Sequence, residues 1–224
     1  MEASAETPSF VVALDGPAAS GKGTLSRLIA GQYGFAHLDT GTLYRGVAWL
    51  ILNEGKDPSD QDLAARIAGD YAVEKIAGAD IRTREVGAAA SVVAANSGVR
   101  AALLDFQRRY AKTPPGGLKG AVLDGRDIGT VVCPDADVKF FVTASAEIRA
   151  HRRWLELKLE QPDLEEARIY KDLLERDARD AAREDAPMAR ADDAELLDTT
   201  HLSIDAAFAA ARRVIDGVFQ RCGN

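Results

Sequence analysis

The stretch Gly16–Thr24, "GPAASGKGT", limits what this chain can become more than any other part of it. It follows "FVVAL" (10–14), a short continuous apolar run rich in β-branched residues, which reads as a strand buried on both faces. It opens a segment in which Leu25, Leu28 and Ile29 recur at helical spacing, with Gly34 as a fitting stop. A strand, a glycine-rich turn and a helix start together make a phosphate site. Gly16, Gly21 and Gly23 let the backbone come close to an anion, and the unpaired N–H groups of the helix start point at it. Lys22 adds a full positive charge aimed at β- and γ-phosphates. The candidate contacts of a nucleoside triphosphate are therefore Gly16, Pro17, Ala18, Ala19, Ser20, Gly21, Lys22, Gly23 and Thr24.

Further along, "FAHLD" (35–39), "GAVLD" (120–124), "VKFFVT" (138–143) and "AELLDTT" (194–200) read as more short strands. Between them lie helical patterns. One covers 42–55 and another, "SDQDLAARIA", begins with Ser59 and Asp62 in capping-box spacing. A third is interrupted by "NSG", after which Val99, Ala102, Leu103, Phe106 and Tyr110 form one face of a helix that "TPPGG" ends. A charged helical region runs from Ser145 to Glu184, broken around Pro162, and an amphipathic helix from about Ile204 closes the chain. Residues 70–84 are ambiguous, with two short strands as one option. Short apolar strands alternating with helices predict an α/β fold with a parallel sheet covered on both faces.

Charge and composition narrow the function classes. The chain has 224 residues and a formal net charge of −7, so it is a poor bulk partner for nucleic acid or an anionic membrane, and any anion site must be a local cluster. No apolar run approaches a membrane span, and residues 1–9 read as a loose tail without the features of a signal peptide. Cys133 and Cys222 show no metal or redox spacing, which fits reduced thiols in a cytoplasmic protein. The three histidines, His37, His151 and His201, share no spacing with each other or with the cysteines, and none reads as a metal ligand or a catalytic base.

Three clusters look able to act on a second phosphate. Thr40, Tyr44 and Arg45 follow the second strand, where Arg45 could grip an acceptor phosphate and Tyr44 flank a sugar or base. "DGRD" (124–127) stands directly after the third. Arg176, Asp180 and Arg183 fall at i, i+4 and i+7 on one helix face, with Arg179 close by. Arg152 and Arg153 could stack on or pair with a donor nucleotide.

"GPAASGKGT", with glycine between the lysine and the threonine, resembles the nucleoside monophosphate kinases. "LDTGTLYRG" (38–46), "LDGRDIGTVVCPDADVKFFVTAS" (123–145), "ERDARDAAR" (175–183) and "TTHLSIDAA" (199–207) resemble the bacterial cytidylate kinases over nearly the whole chain. That resemblance implies a P-loop NTPase fold, a three-layer sandwich in one domain. It also implies an acceptor-binding lobe at about 48–90 and a lid at about 152–183. The expected reaction is phosphoryl transfer from ATP with Mg²⁺ to CMP or dCMP, by a monomer. Lys22, Arg126, Arg176 and Arg183 would carry the transferring charge, and Arg152 would join the loop on the donor. Thr24 would supply a hydroxyl near Mg²⁺, directly or through water. Asp124 would contact the acceptor's sugar, Arg126 its phosphate and Asp127 the cytosine amine. Ser91 and Arg100 would complete the base contacts, beside Thr40, Tyr44, Arg45, Arg176, Asp180 and Arg183 on the nucleotide. Against this stand a kinase for another monophosphate or a small metabolite, and a non-catalytic ATP-binding module. The arginine face and the "DGRD" loop argue against the module, which has no need of converging charges on a second phosphate. The segment between Arg45 and Ser91 is shorter than the insert, with its small sheet, of the family it resembles.

Overall fold

Five strands form one parallel sheet in the order β2-β3-β1-β4-β5, in a computed structural model that describes residues 9–159 and 161–222. The strands are β1 (Phe10–Asp15), β2 (Ala36–Asp39), β3 (Gly120–Asp124), β4 (Val138–Thr143) and β5 (Glu195–Asp198). The expected loose tail, apart from Ser9, and the Cys222 side chain lie outside what is described. Eight α-helices are described: α1 (Lys22–Tyr33), α2 (Gly41–Asn53), α3 (Gln61–Gly69), α4 (Arg84–Val93), α5 (Ser97–Lys112), α6 (Ala146–Lys158), α7 (Glu166–Ala181) and α8 (Ile204–Cys222).

The inner strands β1, β3 and β4 are largely buried on both faces, as their continuous apolar runs require, whereas the edge strand β5 buries Leu197 and leaves Leu196 52% exposed. Val12 and Leu14 of β1 point to one side, where they pack with Leu25 and Ile29 of α1 and Ala207, Ala211 and Ile215 of α8. Ala13 points the other way, into a cluster with Leu38, Leu123, Ile128 and Ala111 of α5. A second core lies beyond the sheet, where Leu43, Val47 and Ile51 of α2 meet Leu63, Val86, Val93, Val99 and Leu103. A third, smaller one joins α6 and α7 through Ala150, Leu157, Ile169 and Leu173.

Several local expectations change. Residues 70–84 hold a single 3₁₀ turn, Val73–Ile76, and no strand among the described residues. The α3 cap is Asp60, whose Oδ1 accepts from the Leu63 N–H at 3.0 Å, whereas the Ser59 N–H turns back to Asp57. On α5 the buried stripe is Val99, Leu103, Gln107 and Ala111, while Ala102 and Phe106 are exposed. Gln107 is tolerated inside because its amide donates to the Leu103 carbonyl at 3.1 Å. Among the described residues, no single helix is long and apolar enough to cross a membrane.

The topology sets the site. In a parallel sheet, ligands bind beyond the carboxyl ends of the strands. Here β1, β2 and β3 all end there in aspartate, Asp15, Asp39 and Asp124, with Asp39 and Asp124 in register.

Candidate active site

The loop between β1 and α1 is wrapped as an anion cradle. Gly16 has φ 140°, and a Cβ there would stand 2.0 Å from the Val142 carbonyl oxygen, so no side chain fits. Ala19 holds φ 59°, a left-handed conformation uncommon outside glycine, and Gly21 holds φ 89° at the start of α1. Lys22 is 7% exposed and its Nζ donates to the Pro17 carbonyl at 3.0 Å across the loop. Burial, then the nearby Arg126, push its pKa down to about 7, although Asp124 and Asp39 pull the other way. Thr24 is exposed, and its Oγ1 accepts from Arg27 at 3.3 Å. Arg152 turns beneath the loop, donating to Thr199 Oγ1 at 3.0 Å and to the Thr199 carbonyl at 2.8 Å. Thr199 in turn donates to the Ser20 carbonyl at 2.9 Å.

A cavity of about 660 Å³ opens from this loop between α2, α4 and α7. Arg45, Arg126, Arg176 and Arg183 all line it. Asp180 is fully buried at their centre. Arg126 Nε donates to Asp180 Oδ2 at 2.9 Å, and Arg183 also bonds its carboxylate. Arg183 lies just beyond the end of α7, so it reaches Asp180 from the following turn. Burial works to raise the Asp180 pKa, but Arg126, Arg183 and Arg176 outweigh it and hold the carboxyl low. Arg176 is pushed down to about 9 by burial first and by Arg126 next, and Arg45 to about 10 by burial and Arg153. The Nε atoms of Arg176 and Arg183 are buried with no hydrogen-bond partner. Partly buried cations that repel one another and keep unpaired N–H groups have the chemistry to take up an anion.

Deeper in the cleft, Arg100 pairs with Asp127, the two side chains 10% and 7% exposed. Burial raises the Asp127 pKa against the pull of Arg100 and Arg183. The Arg100 guanidinium lies 6.0 Å from the Tyr44 ring centre. Ser91 is buried on α4 and its Oγ accepts from Arg179 Nε at 3.2 Å. Thr40 donates to the Asp124 carbonyl at 2.8 Å, which fixes the start of the "DGRD" loop. The structure thus gathers Lys22, Thr40, Tyr44, Arg45, Arg100, Asp124, Arg126, Asp127, Arg176, Asp180 and Arg183 around one cavity, while Arg152 is drawn to Thr199 and Arg153 faces that cavity instead.

Three contributors escape sequence reasoning. Asp15 is 4% exposed and accepts from the Ile128 and Gly129 N–H groups, each at 2.7 Å, pinning the π-type turn that follows Asp127. His37 Nε2 lies 2.8 Å from Asp124 Oδ2. Arg149 is buried and bonds the Ala18 carbonyl of the loop. Asp15 ends the strand as any polar residue might, and nothing in its neighbours marks it.

The two sides of the cleft also touch. Arg84 of α4 pairs with Asp172 of α7 at 2.6 Å, and Arg153 donates to the Arg82 carbonyl at 3.0 Å. A phosphate loop facing a cluster of arginines around a buried aspartate across one cleft defines a P-loop phosphotransferase of the kind that brings together two anionic substrates. The sequence pattern of the cytidylate kinases matches residues 12–216. The chain is 54% identical to a cytidylate kinase of Paramagnetospirillum magneticum over 92% of its own length and 98% of that protein's. It is 53% identical to one of Granulibacter bethesdensis, over 92% and 96%. It belongs to the cytidylate kinase family. In fold alone it is also similar to an uncharacterized protein from Eubacterium ventriosum, with a TM-score of 0.55 at 12% identity, covering 92% of this chain and 98% of the other.

Proposed function

We propose that the protein transfers the γ-phosphoryl group of ATP to CMP, and to dCMP, giving ADP and the cytidine diphosphate. The observation that carries this reading is the cluster of Arg126, Arg176 and Arg183 around the buried Asp180, with the Nε–H groups of Arg176 and Arg183 left unpaired, opposite the loop that holds Lys22. The loop N–H groups and Lys22 take the triphosphate of the donor. Arg45 and Arg126 take the acceptor's phosphate, and Arg176 and Arg183 spread the charge that develops between the two.

No general base is required. The second pKa of a phosphate monoester is near 6, so the attacking oxygen is already anionic at neutral pH. The obstacle is repulsion between two anions, and the remedy is in-line positioning with fixed cations in a water-poor cleft. Asp127 accepts hydrogen bonds only, so it favours the ring amine of cytosine over the carbonyl of uracil at the same place. Arg100 donates to the ring carbonyl and nitrogen, Ser91 completes the base contacts, and Tyr44 flanks the nucleotide. Asp124, oriented by His37, serves the sugar.

Mg²⁺ fits the donor side of this site. The Thr24 hydroxyl is exposed at the loop with one long partner, and Asp39 and Asp124 stand close enough to act on Lys22. Thr24 would hold the ion directly or through water, and the carboxylates would receive its waters. Bound there, Mg²⁺ neutralises phosphate charge. The segment from about 48 to 90 works as the acceptor lobe, and that from about 152 to 183 as a lid that closes over both substrates and keeps water out. The scheme is that of a monomer acting in the cytoplasm. The test is ADP formation with CMP, dCMP, UMP and AMP side by side. CMP and dCMP should be the strong acceptors, and preference for UMP or AMP would overturn the reading.

A further inference from the structure

The Arg149 side chain is buried in the first turn of α6, yet it touches neither the cavity nor the apolar core alone. Its guanidinium joins three parts of the molecule. Nε donates to the Ala144 carbonyl, one residue past β4, at 2.9 Å. Nη1 donates to the Ala18 carbonyl of the phosphate loop, at 3.3 Å, and the same nitrogen lies 2.7 Å from Asp177 Oδ2 of α7. The pair is largely dry, with side chains 7% and 18% exposed, and Asp177 Oδ1 is buried with no partner. A buried ion pair is a poor source of net stability but a strong constraint on geometry, because neither charge can be left alone.

Each end of this pair bears on the reaction. A trans peptide unit sets its C=O and the next N–H in opposite directions. Arg149 holds the Ala18 carbonyl, so the Ala19 N–H points away from it, and Ala19 lines the cavity. The same peptide leads into the left-handed Ala19, a conformation that needs support from outside the loop. At the other end, Asp177 follows Arg176 directly and lies three residues before Asp180. One helical step of about 100° separates it from Arg176, so the two look to different sides of α7. Arg176 faces the acceptor cavity, while Asp177 is fastened to α6.

We infer that Arg149 and Asp177 are a positioning pair that ties the place of α7, and with it Arg176, to the aim of the Ala18–Ala19 peptide on the donor side. Transfer needs both substrates held at one spacing, and a single guanidinium nitrogen shared between loop and lid helix fixes that spacing. The inference rests on the roles given above to the loop and to Arg176.

The test uses the full chain with four variants, Asp177→Asn, Arg149→Lys, Arg176→Ala and the Asp177→Asn/Arg176→Ala double variant, each measured for kcat, both KM values and melting temperature. Asp177→Asn keeps the shape and leaves Arg149 on Ala144 and Ala18. It should lower kcat by about tenfold with KM for CMP and ATP changed less than about twofold. Arg149→Lys keeps the charge but not the fork, cannot serve loop and helix together, and should also raise KM for ATP by about fivefold. In the Arg176→Ala background the Asp177→Asn change should cost less than about twofold, because a residue acting through Arg176 has nothing left to position. A lowered melting temperature with wild-type kcat would overturn the inference, as would a tenfold loss that multiplies in the double variant. An Arg176→Ala enzyme with normal kcat would overturn the role of Arg176 and the coupling with it. A slow Arg176→Ala beside a normal Asp177→Asn would overturn the coupling alone.

Discussion

Replacing Asp15 by asparagine should make the protein more stable and less active, and the reason lies in one buried carboxylate. Asp15 is 4% exposed, and burial first of all, aided by Asp127, raises its pKa from 3.8 to about 6 against two backbone hydrogen bonds and Lys22. The neutral form is therefore favoured in the folded chain. The stability this group contributes is full below pH 3.8 and is lost as pH climbs through 6. At about 1.4 kcal/mol per pH unit, the loss amounts to about 3 kcal/mol by pH 7. Asparagine carries no charge to bury. It should match the wild type near pH 4 and exceed it by up to about 3 kcal/mol at pH 7, less whatever the orphaned N–H costs. That cost is functional. The carboxylate accepts from both the Ile128 and Gly129 N–H groups, while an amide offers one oxygen. The turn behind Asp127 loosens, and kcat/KM for CMP should fall by about tenfold. Urea unfolding of the two proteins from pH 4 to 8 reads the difference directly, since other groups cancel between them. Parallel stability curves, or an asparagine variant destabilised at pH 7, would show that Asp15 is not a buried carboxyl of raised pKa.

Lys22→Met should cut turnover by about two orders of magnitude or more in a folded protein, as the role proposed for its charge at the transferring group requires. With the Lys22 pKa lowered to about 7 by burial, wild-type kcat/KM for ATP should fall as pH rises above 7, whereas Lys22→Arg, charged throughout, should lose that limb; a flat profile from pH 6 to 9 in the wild type would contradict the assignment. Gly16→Ala would place a Cβ 2.0 Å from the Val142 carbonyl at φ 140°, and should lower unfolding free energy in urea by about 3 kcal/mol or more. Arg176→Ala and Arg183→Ala should each reduce kcat more than they raise KM for CMP, and loss of CMP affinity alone would make them recognition residues.

The phosphate loop could be read from the sequence because its demand is local. Glycines at 16 and 21, a lysine and a following helix state their purpose within nine residues. The strands were legible for a similar reason, since a buried parallel strand needs an unbroken apolar run whatever its neighbours. What stayed hidden depends on contacts across the chain. Asp15, His37 and Arg149 gain their roles from Gly129, Asp124 and Asp177, between 28 and 114 positions away in sequence. Apolar spacing puts Phe106 on the same face of α5 as Val99 and Leu103, but Gln107 takes the buried position by bonding its own helix and Phe106 is exposed. Residues 70–84 alternate too weakly to choose a state, and the chain there makes one 3₁₀ turn. The arginine face of 176–183 was visible as spacing, whereas the burial of Asp180 and its pairing with Arg126, 54 positions away, needed the fold.

Base choice is tested most directly by the ratio of kcat/KM for CMP to that for UMP, measured in the wild type and in Asp127→Asn. Asp127 is buried and paired with Arg100, so a uracil carbonyl would meet an acceptor that has no proton to give. Asparagine can present its amide either way. CMP should be strongly preferred in the wild type, and the preference should narrow by at least about tenfold in the variant, or about 1.4 kcal/mol, while Arg100→Ala harms both substrates alike. A ratio unchanged by Asp127→Asn would contradict this role of Asp127.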